Sequence, residues 1–139
     1  MKVLVIDGQG GGIGRQIVQA VRASFPNWSI TAVGTNSLAA ASMLKSGADR
    51  AASGENAVVV CSRKADVIIG PAAIVIADSL LGEITEKMAS AVAKSNAVRI
   101  LVPVNCCGNI IVGVPDLSVG KLVLSVIEEL KKLDDSLRR

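Results

Sequence analysis

Short aliphatic runs alternate along the chain with segments in which apolar residues recur every three or four positions. Runs such as Val3–Ile6 lack a polar face, which is typical of strands buried on both sides of a parallel sheet. The segments with helical spacing predict amphipathic helices. The predicted strands are 2–7, 29–33, 48–52, 66–69 and 98–104, and the predicted helices are 12–24, 38–46, 54–64, 85–95 and 118–133.

Two segments do not follow this pattern clearly. The run 57–61 has the β propensity of a strand, but the next predicted strand begins a few residues later. Parallel strands need a crossover of roughly a dozen residues, so we predict a helix here, capped by Ser53. An antiparallel hairpin is the alternative. The apolar segment 72–83 has no clear assignment.

The alternation of strands and helices predicts one α/β domain over residues 1–139, a Rossmann-like doubly wound fold with helices on both faces. The expected strand order is 3-2-1-4-5. Residues 105–108 read as a turn, after which 109–114 would pair back as an antiparallel edge strand. We also predict a homo-oligomer, a dimer, because 72–81 is too aliphatic for a solvated loop.

The composition narrows the class of protein. The chain has one Phe, one Trp, no Tyr and no His, so its core must be aliphatic. The apolar runs are too short for a membrane span, and a net charge of +3 without a basic stripe argues against nucleic acid. Three cysteines without metal-ligand spacing predict no metal site and reduced thiols in the cytoplasm. The first strand begins at Lys2, so we expect no signal peptide.

A glycine-rich loop joins the first predicted strand to the first helix. Glycines let the backbone approach a ligand closely, and the amides at a helix N-terminus attract anions. The order strand, glycine loop, helix therefore predicts a phosphate site. Its residues are Gly8, Gln9, Gly10, Gly11, Gly12, Ile13, Gly14 and Arg15.

Polar residues also follow other predicted strands. In a doubly wound sheet ligands bind at the carboxyl ends of the strands, so these residues are expected beside the glycine loop. Polar turns of this kind also occur where nothing binds. The further candidate binding residues are Thr35, Asn36, Ser37, Ser53, Gly70, Pro71 and Asn105.

The glycine loop resembles the T-G-x-x-x-G-I-G segment of short-chain dehydrogenases/reductases, with Asp7 where that family has Thr. The resemblance implies NAD or NADP as cofactor. An acidic residue that would hold the NAD ribose is missing, because no Asp or Glu occurs between Asp7 and Asp49. NADP is weakly favoured, since a 2′-phosphate could be held by Arg15, Thr35, Asn36 and Ser37.

Residues 11–16 superficially resemble a variant P-loop. Arg15 replaces the phosphate-binding Lys and Gln16 replaces the magnesium-binding Ser or Thr, so hydrolysis of magnesium-ATP is not expected. Another phosphorylated or carboxylated metabolite is a third option for the loop.

Catalytic residues cannot be assigned from the sequence. A short-chain reductase needs a Tyr acid, and His is the usual general base, but the chain contains neither. Asp78 and Glu83 are candidates for acid and base, or else a helix cap and a solvated residue. Cys106 and Cys107 form a candidate redox pair, or else small apolar filler.

Nearly the whole chain closely resembles a family of short bacterial proteins known only as a domain of unknown function, which implies no activity. The resemblance is carried by residues 5–14, 34–37, 47–50, 54–56, 69–71, 76–84 and 103–105. The residues themselves predict a cytoplasmic protein that binds a nucleotide or dinucleotide, with a regulatory role as one option. The alternatives are a small NAD(P) oxidoreductase and an oligomeric structural protein without a ligand.

Overall fold

A computed structural model describes residues 1–104 and 108–139. Within these residues a five-stranded sheet has the order β3-β2-β1-β4-β5, and every neighbouring pair is parallel. The predicted strand order is therefore confirmed. The strands are β1 (Lys2–Asp7), β2 (Ser29–Gly34), β3 (Arg50–Ser53), β4 (Val67–Pro71) and β5 (Val98–Val102).

The helices alternate with the strands as predicted. The run 57–61 is helical, so the hairpin alternative is wrong: β3 and β4 are not neighbours, and the chain must cross β2 and β1 to reach β4. A short 3₁₀ turn, Ala72–Val75, follows β4. The helices are α1 (Gly12–Ser24), α2 (Ser37–Lys45), α3 (Glu55–Ser62), α4 (Glu86–Lys94) and α5 (Val119–Arg138).

Both faces of the sheet are covered by apolar packing, which explains the aliphatic strands. On one face Val3 and Val5 of β1 pack in a cluster with residues of α1, α2 and α5. On the other face Leu4 and Ile6 pack in a cluster with residues of α3 and α4. The alternation of β1 side chains between the two clusters follows from the two-residue repeat of a strand.

The predicted antiparallel edge strand at 109–114 is wrong. These residues pair with no strand of the described sheet. Gly108 and Gly113 both have φ of 83°, a left-handed conformation that interrupts extended backbone. Ile110 and Val112 are 91% and 92% exposed, so this apolar segment finds no core surface in the subunit. The predicted turn at 105–108 lies mostly outside the described residues.

Segment 72–81 is packed inside the subunit, contrary to its interpretation as an apolar partner surface. Ala73, Ile74 and Leu80 are buried in the cluster beneath α4, although Leu81 is 97% exposed. The original reason for predicting a dimer is thereby removed.

Glycine at the end of β2 is required by close backbone contact. A Cβ added to Gly34 would lie 2.5 Å from both the Ala40 nitrogen and the Asn36 oxygen, whereas one added to Gly120 in α5 would meet nothing within 4 Å. We expect Gly34→Ala to lower the free energy of unfolding by about 1–3 kcal/mol. Gly120→Ala should raise it by about 0.5–1 kcal/mol, because glycine is unfavourable inside a helix. Urea titration of both variants checks the opposite signs, and equal effects would contradict this account.

Candidate functional site

The glycine loop connects the end of β1 to the start of α1 and packs against α2. Gly11 precedes the helix with φ of 72°, and a Cβ there would lie 3.0 Å from the Ala39 Cα atom. Glycine is needed at this position for both the left-handed backbone and the contact with α2. The loop is therefore fixed by packing, while Gln9, Gly10, Gly12 and Arg15 are exposed to solvent.

Asp7 is buried beneath the loop and caps it from inside. Its Oδ1 accepts a hydrogen bond of 2.8 Å from the Gly8 amide, and its Oδ2 accepts one of 2.7 Å from the Gly14 amide. Asp7 is only 3% exposed to solvent. Asp7 thus occupies backbone donors that would otherwise face a bound anion.

Burial raises the pKa of the Asp7 carboxyl group above its ordinary value. Hydrogen bonds from the amides of Gly14, Gly8 and Ile13 oppose this shift without cancelling it, and the charge of Glu83 adds to it. Asp7 is consequently a structural cap and not an exposed acid or base.

Two amides of the loop are left for a ligand. The N–H groups of Gly10 and Gly12 donate to no acceptor in the described part of the chain. A Cβ added at either residue would meet no atom of residues 1–104 or 108–139 within 4 Å. The space over these two glycines is thus open, and the loop offers two donors beside the positive end of the α1 dipole.

The Glu83 carboxylate joins three chain segments at this edge of the sheet. Its Oε1 accepts hydrogen bonds of 2.7 Å from the Thr35 hydroxyl and 2.6 Å from the Asn36 amide. The Gln9 backbone N–H lies 3.1 Å from Oε1 and 3.2 Å from Oε2. The glycine loop, the end of β2 and the segment before α4 therefore meet at one carboxylate.

Asn36 adds a second connection between the same segments. Its side-chain oxygen accepts a hydrogen bond of 2.8 Å from the Ala39 amide and so caps α2. Its Nδ2 also donates 2.9 Å to the Gln9 carbonyl. Asn36 is therefore held from both ends, which leaves Glu83 in a defined position.

The segment that carries Glu83 is a compact, internally bonded turn. The amide of Asp78 donates 2.7 Å to the Ile84 carbonyl, and the buried Ser79 hydroxyl lies 2.6 Å from the Ala73 carbonyl. Leu80 is buried against Gly8, where a Cβ would lie 2.8 Å from its Cδ1. Four of the five residues 78–82 have positive φ and bend the backbone: Asp78, Leu80, Leu81 and Gly82.

Glu83 is held in its ionised form. Burial opposes ionisation, but the hydrogen bonds from Thr35, Asn36 and Gln9 outweigh it and lower the pKa below the ordinary 4.5. An ionised carboxylate can only accept hydrogen bonds, and it has about four acceptor sites. Oε2 accepts a hydrogen bond only from the Gln9 N–H, so it can accept another from a ligand.

The structure places the other predicted site residues unevenly. Ser37 is exposed at the start of α2, and Ser53 ends β3 without capping α3, whose N-cap is Gly54. Gly70 and Pro71 are buried within β4 and do not face solvent. Asn105, Cys106 and Cys107 lie outside the described residues.

Sequence reasoning missed the role of Glu83. The expected position of an acidic residue was some twenty residues after the glycine loop. Glu83 instead lies in the connection between β4 and α4, and β4 is on the other side of β1 from β2. Glu83 is half-exposed, but it also accepts hydrogen bonds from Thr35, Asn36 and Gln9, which its interpretation as a solvated residue did not include. Asp78 is not a helix cap, since Thr85 caps α4 through a 3.1 Å bond from the Met88 amide.

The described residues contain no group of His, Cys, Asp and Glu arranged to hold a metal ion. No helix among them is both long and apolar enough to cross a membrane.

The sequence profile of DUF3842, a domain of unknown function, matches residues 2–135. The chain belongs to this family. None of the curated proteins compared with it matches significantly. One similar solved structure is a dodecameric FMN-dependent UbiX-like decarboxylase from Escherichia coli O157:H7, with 20% identity and a TM-score of 0.46 over 94% of this chain and 76% of that one. Nothing about a ligand or assembly follows from a likeness of that degree.

The lowered pKa of Glu83 predicts a pH-dependent contribution to stability. A carboxyl group with a depressed folded pKa stabilises the fold above its unfolded pKa, and the contribution is lost as pH falls through the folded pKa. We expect Glu83→Gln to lower the free energy of unfolding by about 1.5 kcal/mol or more at pH 7, because charged hydrogen bonds are lost. The difference from the wild type should shrink below pH 4.5.

Denaturant titrations at pH 7 and pH 3.5 measure this difference. Glu128→Gln is the matched control, because Glu128 is exposed on α5. The control should change little at either pH. If Glu83→Gln lowers the free energy of unfolding by the same amount at both pH values, the role given to the ionised carboxylate is contradicted.

Proposed function

We propose that this protein binds a nucleotide or dinucleotide whose ribose hydroxyls are free, at the edge formed by the glycine loop and the end of β2. The single observation that carries the proposal is the ionised Glu83 carboxylate, fixed between these two segments with acceptor capacity left on Oε2. The phosphate would lie on the glycine loop and the ribose would lie beside Glu83.

The phosphate half of the site rests on the open part of the loop. The Gly10 and Gly12 amides are donors, and the α1 dipole favours an anion at the same point. Arg15 lies exposed in the first turn of α1 and forms no ion pair with another described residue. Because Asp7 already occupies the Gly8 and Gly14 amides, the loop suits one phosphate group better than a fully wrapped phosphate chain.

The ribose half favours NAD over NADP. A ribose hydroxyl can donate a hydrogen bond to the Glu83 carboxylate, whereas a 2′-phosphate has no donor at neutral pH and would be repelled by it. The Thr35 hydroxyl and the Asn36 side-chain amide, which the sequence alone would assign to a 2′-phosphate, already donate hydrogen bonds to Glu83. We therefore assign to Glu83 the role of the acidic residue whose apparent absence favoured NADP.

Binding without turnover, as in a regulatory protein, is the proposed role. The whole sequence contains neither Tyr nor His, and Asp7 is buried as a cap. These residues give no support to the oxidoreductase alternative. A structural protein without a ligand is the remaining rival, and it predicts that no nucleotide binds.

Isothermal titration with NAD, NADP, ATP and FMN tests the proposal. We expect NAD to bind at least tenfold more tightly than NADP. Gly12→Val should abolish binding without loss of helical circular dichroism, because its side chain would enter the ligand space and meets no protein atom. Glu128→Gln should bind as the wild type does. Binding of none of the four compounds would overturn the proposal, and unchanged affinity in folded Gly12→Val would overturn the placement of the phosphate.

Glu83→Gln tests the ribose contact separately. Loss of one charged hydrogen bond is worth about 1.5–3 kcal/mol, so NAD affinity should fall by roughly 10- to 100-fold. NADP affinity should change less or rise, since the repelling charge is gone. NADP binding that exceeds NAD binding in the wild type would contradict the assignment of Glu83 while leaving the phosphate site intact.

A homo-oligomer remains our expectation, now for a different reason. Ile110 and Val112 expose adjacent apolar side chains on a segment that the subunit does not cover. We expect light scattering to give a dimer for the wild type and a smaller mass for the Ile110→Ser/Val112→Ser variant. Leu137→Ser, which changes another exposed apolar residue at the end of α5, is the control. A wild-type monomer at micromolar concentration would contradict the expectation.

A further inference from the structure

A second concave site lies at the opposite edge of the sheet from the glycine loop. It is a cavity of about 250 Å³ on the face covered by α3, between the first residues of β1, β2 and β3 and the end of α3. Lys2 and Asp7 stand at opposite ends of β1, so the two sites are separated by roughly 17 Å at ~3.3 Å per residue. The cavity is therefore distinct from the proposed nucleotide site.

The cavity lies beside the end of the short helix α3. This helix has eight residues, and β3 contributes only four to the sheet, of which Ala52 remains exposed. The alternation of side chains places Leu4, Thr31 and Ala52 on the same face of the sheet. Together with the half-buried Cys61 of α3, they give the cavity a largely apolar floor with one hydroxyl group.

Three cationic side chains line this cavity, and no acidic residue does. Lys2, Arg50 and Lys64 contribute to its wall, and none forms an ion pair with another described residue. Two carboxylates lie near this wall without lining the cavity. Asp49 is paired with Arg22 at 2.8 Å, and Asp66 accepts a hydrogen bond of 2.7 Å from the Lys2 backbone N–H.

We propose that this cavity binds a small organic carboxylate with a short hydrocarbon body. The carboxylate would be held by Lys2, Arg50 and Lys64, and the hydrocarbon would lie on Ala52 and the half-buried Cys61. Arg50 donates a hydrogen bond of 3.4 Å to the Thr31 hydroxyl, but none of the three cations forms an ion pair with a described residue. Like charges on one concave surface repel one another, and an anion would reduce that repulsion. The apolar floor explains why the ligand carries a hydrocarbon body, since burial of apolar surface adds to affinity.

The native thiol of Cys61 provides a direct measure of occupancy because it lines the cavity. Iodoacetamide alkylation at this residue, followed by peptide mapping, is compared with and without hexanoate. We expect saturating hexanoate to slow alkylation of Cys61 at least fivefold. Hexanamide lacks the negative charge, and acetate lacks the longer hydrocarbon chain. Each should slow the alkylation of Cys61 much less than hexanoate does. Equal protection by hexanoate and hexanamide, or none by hexanoate, would overturn the proposal.

Variants locate the effect. Arg50→Gln/Lys64→Gln should lose at least tenfold in hexanoate affinity, measured by titration of backbone amide shifts in nuclear magnetic resonance spectra. Arg63→Gln/Lys94→Gln is the matched control, because it removes two exposed charges outside the cavity. Ala52→Trp, at an exposed strand position, should fill the cavity and block hexanoate in a folded protein. Equal affinity in the two double variants would overturn the assignment of the cations.

Discussion

The Glu83 carboxylate is the interaction on which the arrangement of the candidate site depends. Parallel strands bring the glycine loop, the end of β2 and the connection after β4 to one edge, but they do not bond these loops to one another. Glu83 does so by accepting hydrogen bonds from Gln9, Thr35 and Asn36. A buried Leu80 next to Gly8 anchors the turn that carries the carboxylate, so packing and hydrogen bonding fix the same geometry.

Two carboxylates therefore shape a loop whose backbone otherwise favours anions, and their environments differ. Asp7 is buried, and desolvation raises its pKa; Glu83 is bonded to three donors, and its pKa is lowered. The first takes up inner amides and stabilises the start of α1, and the second presents a charged acceptor to solvent. In the proposed site, this combination would leave the Gly10 and Gly12 amides for an anion and would favour a ligand with hydroxyl donors beside them.

The two ends of the sheet differ in charge for a structural reason. At the carboxyl end, Asp7 and Glu83 counter the positive end of the α1 dipole. At the amino end, Lys2, Arg50 and Lys64 face a cavity that the short α3 leaves uncovered. The cavity therefore lies at the amino ends of β1, β2 and β3, beside the end of α3.

The sequence by itself determined the α/β class, the strand order and the helix at 57–61, because hydrophobic periodicity and the minimum length of a parallel crossover are local properties. It also placed the glycine-rich segment between β1 and α1. Only the tertiary structure decided that Glu83 lies beside Thr35, because the two residues are 48 positions apart and no local pattern couples them. It likewise decided that 109–114 is no strand and that 72–81 is packed within the subunit. The sequence shows that a segment is apolar, but it does not show which surface, if any, the segment packs against.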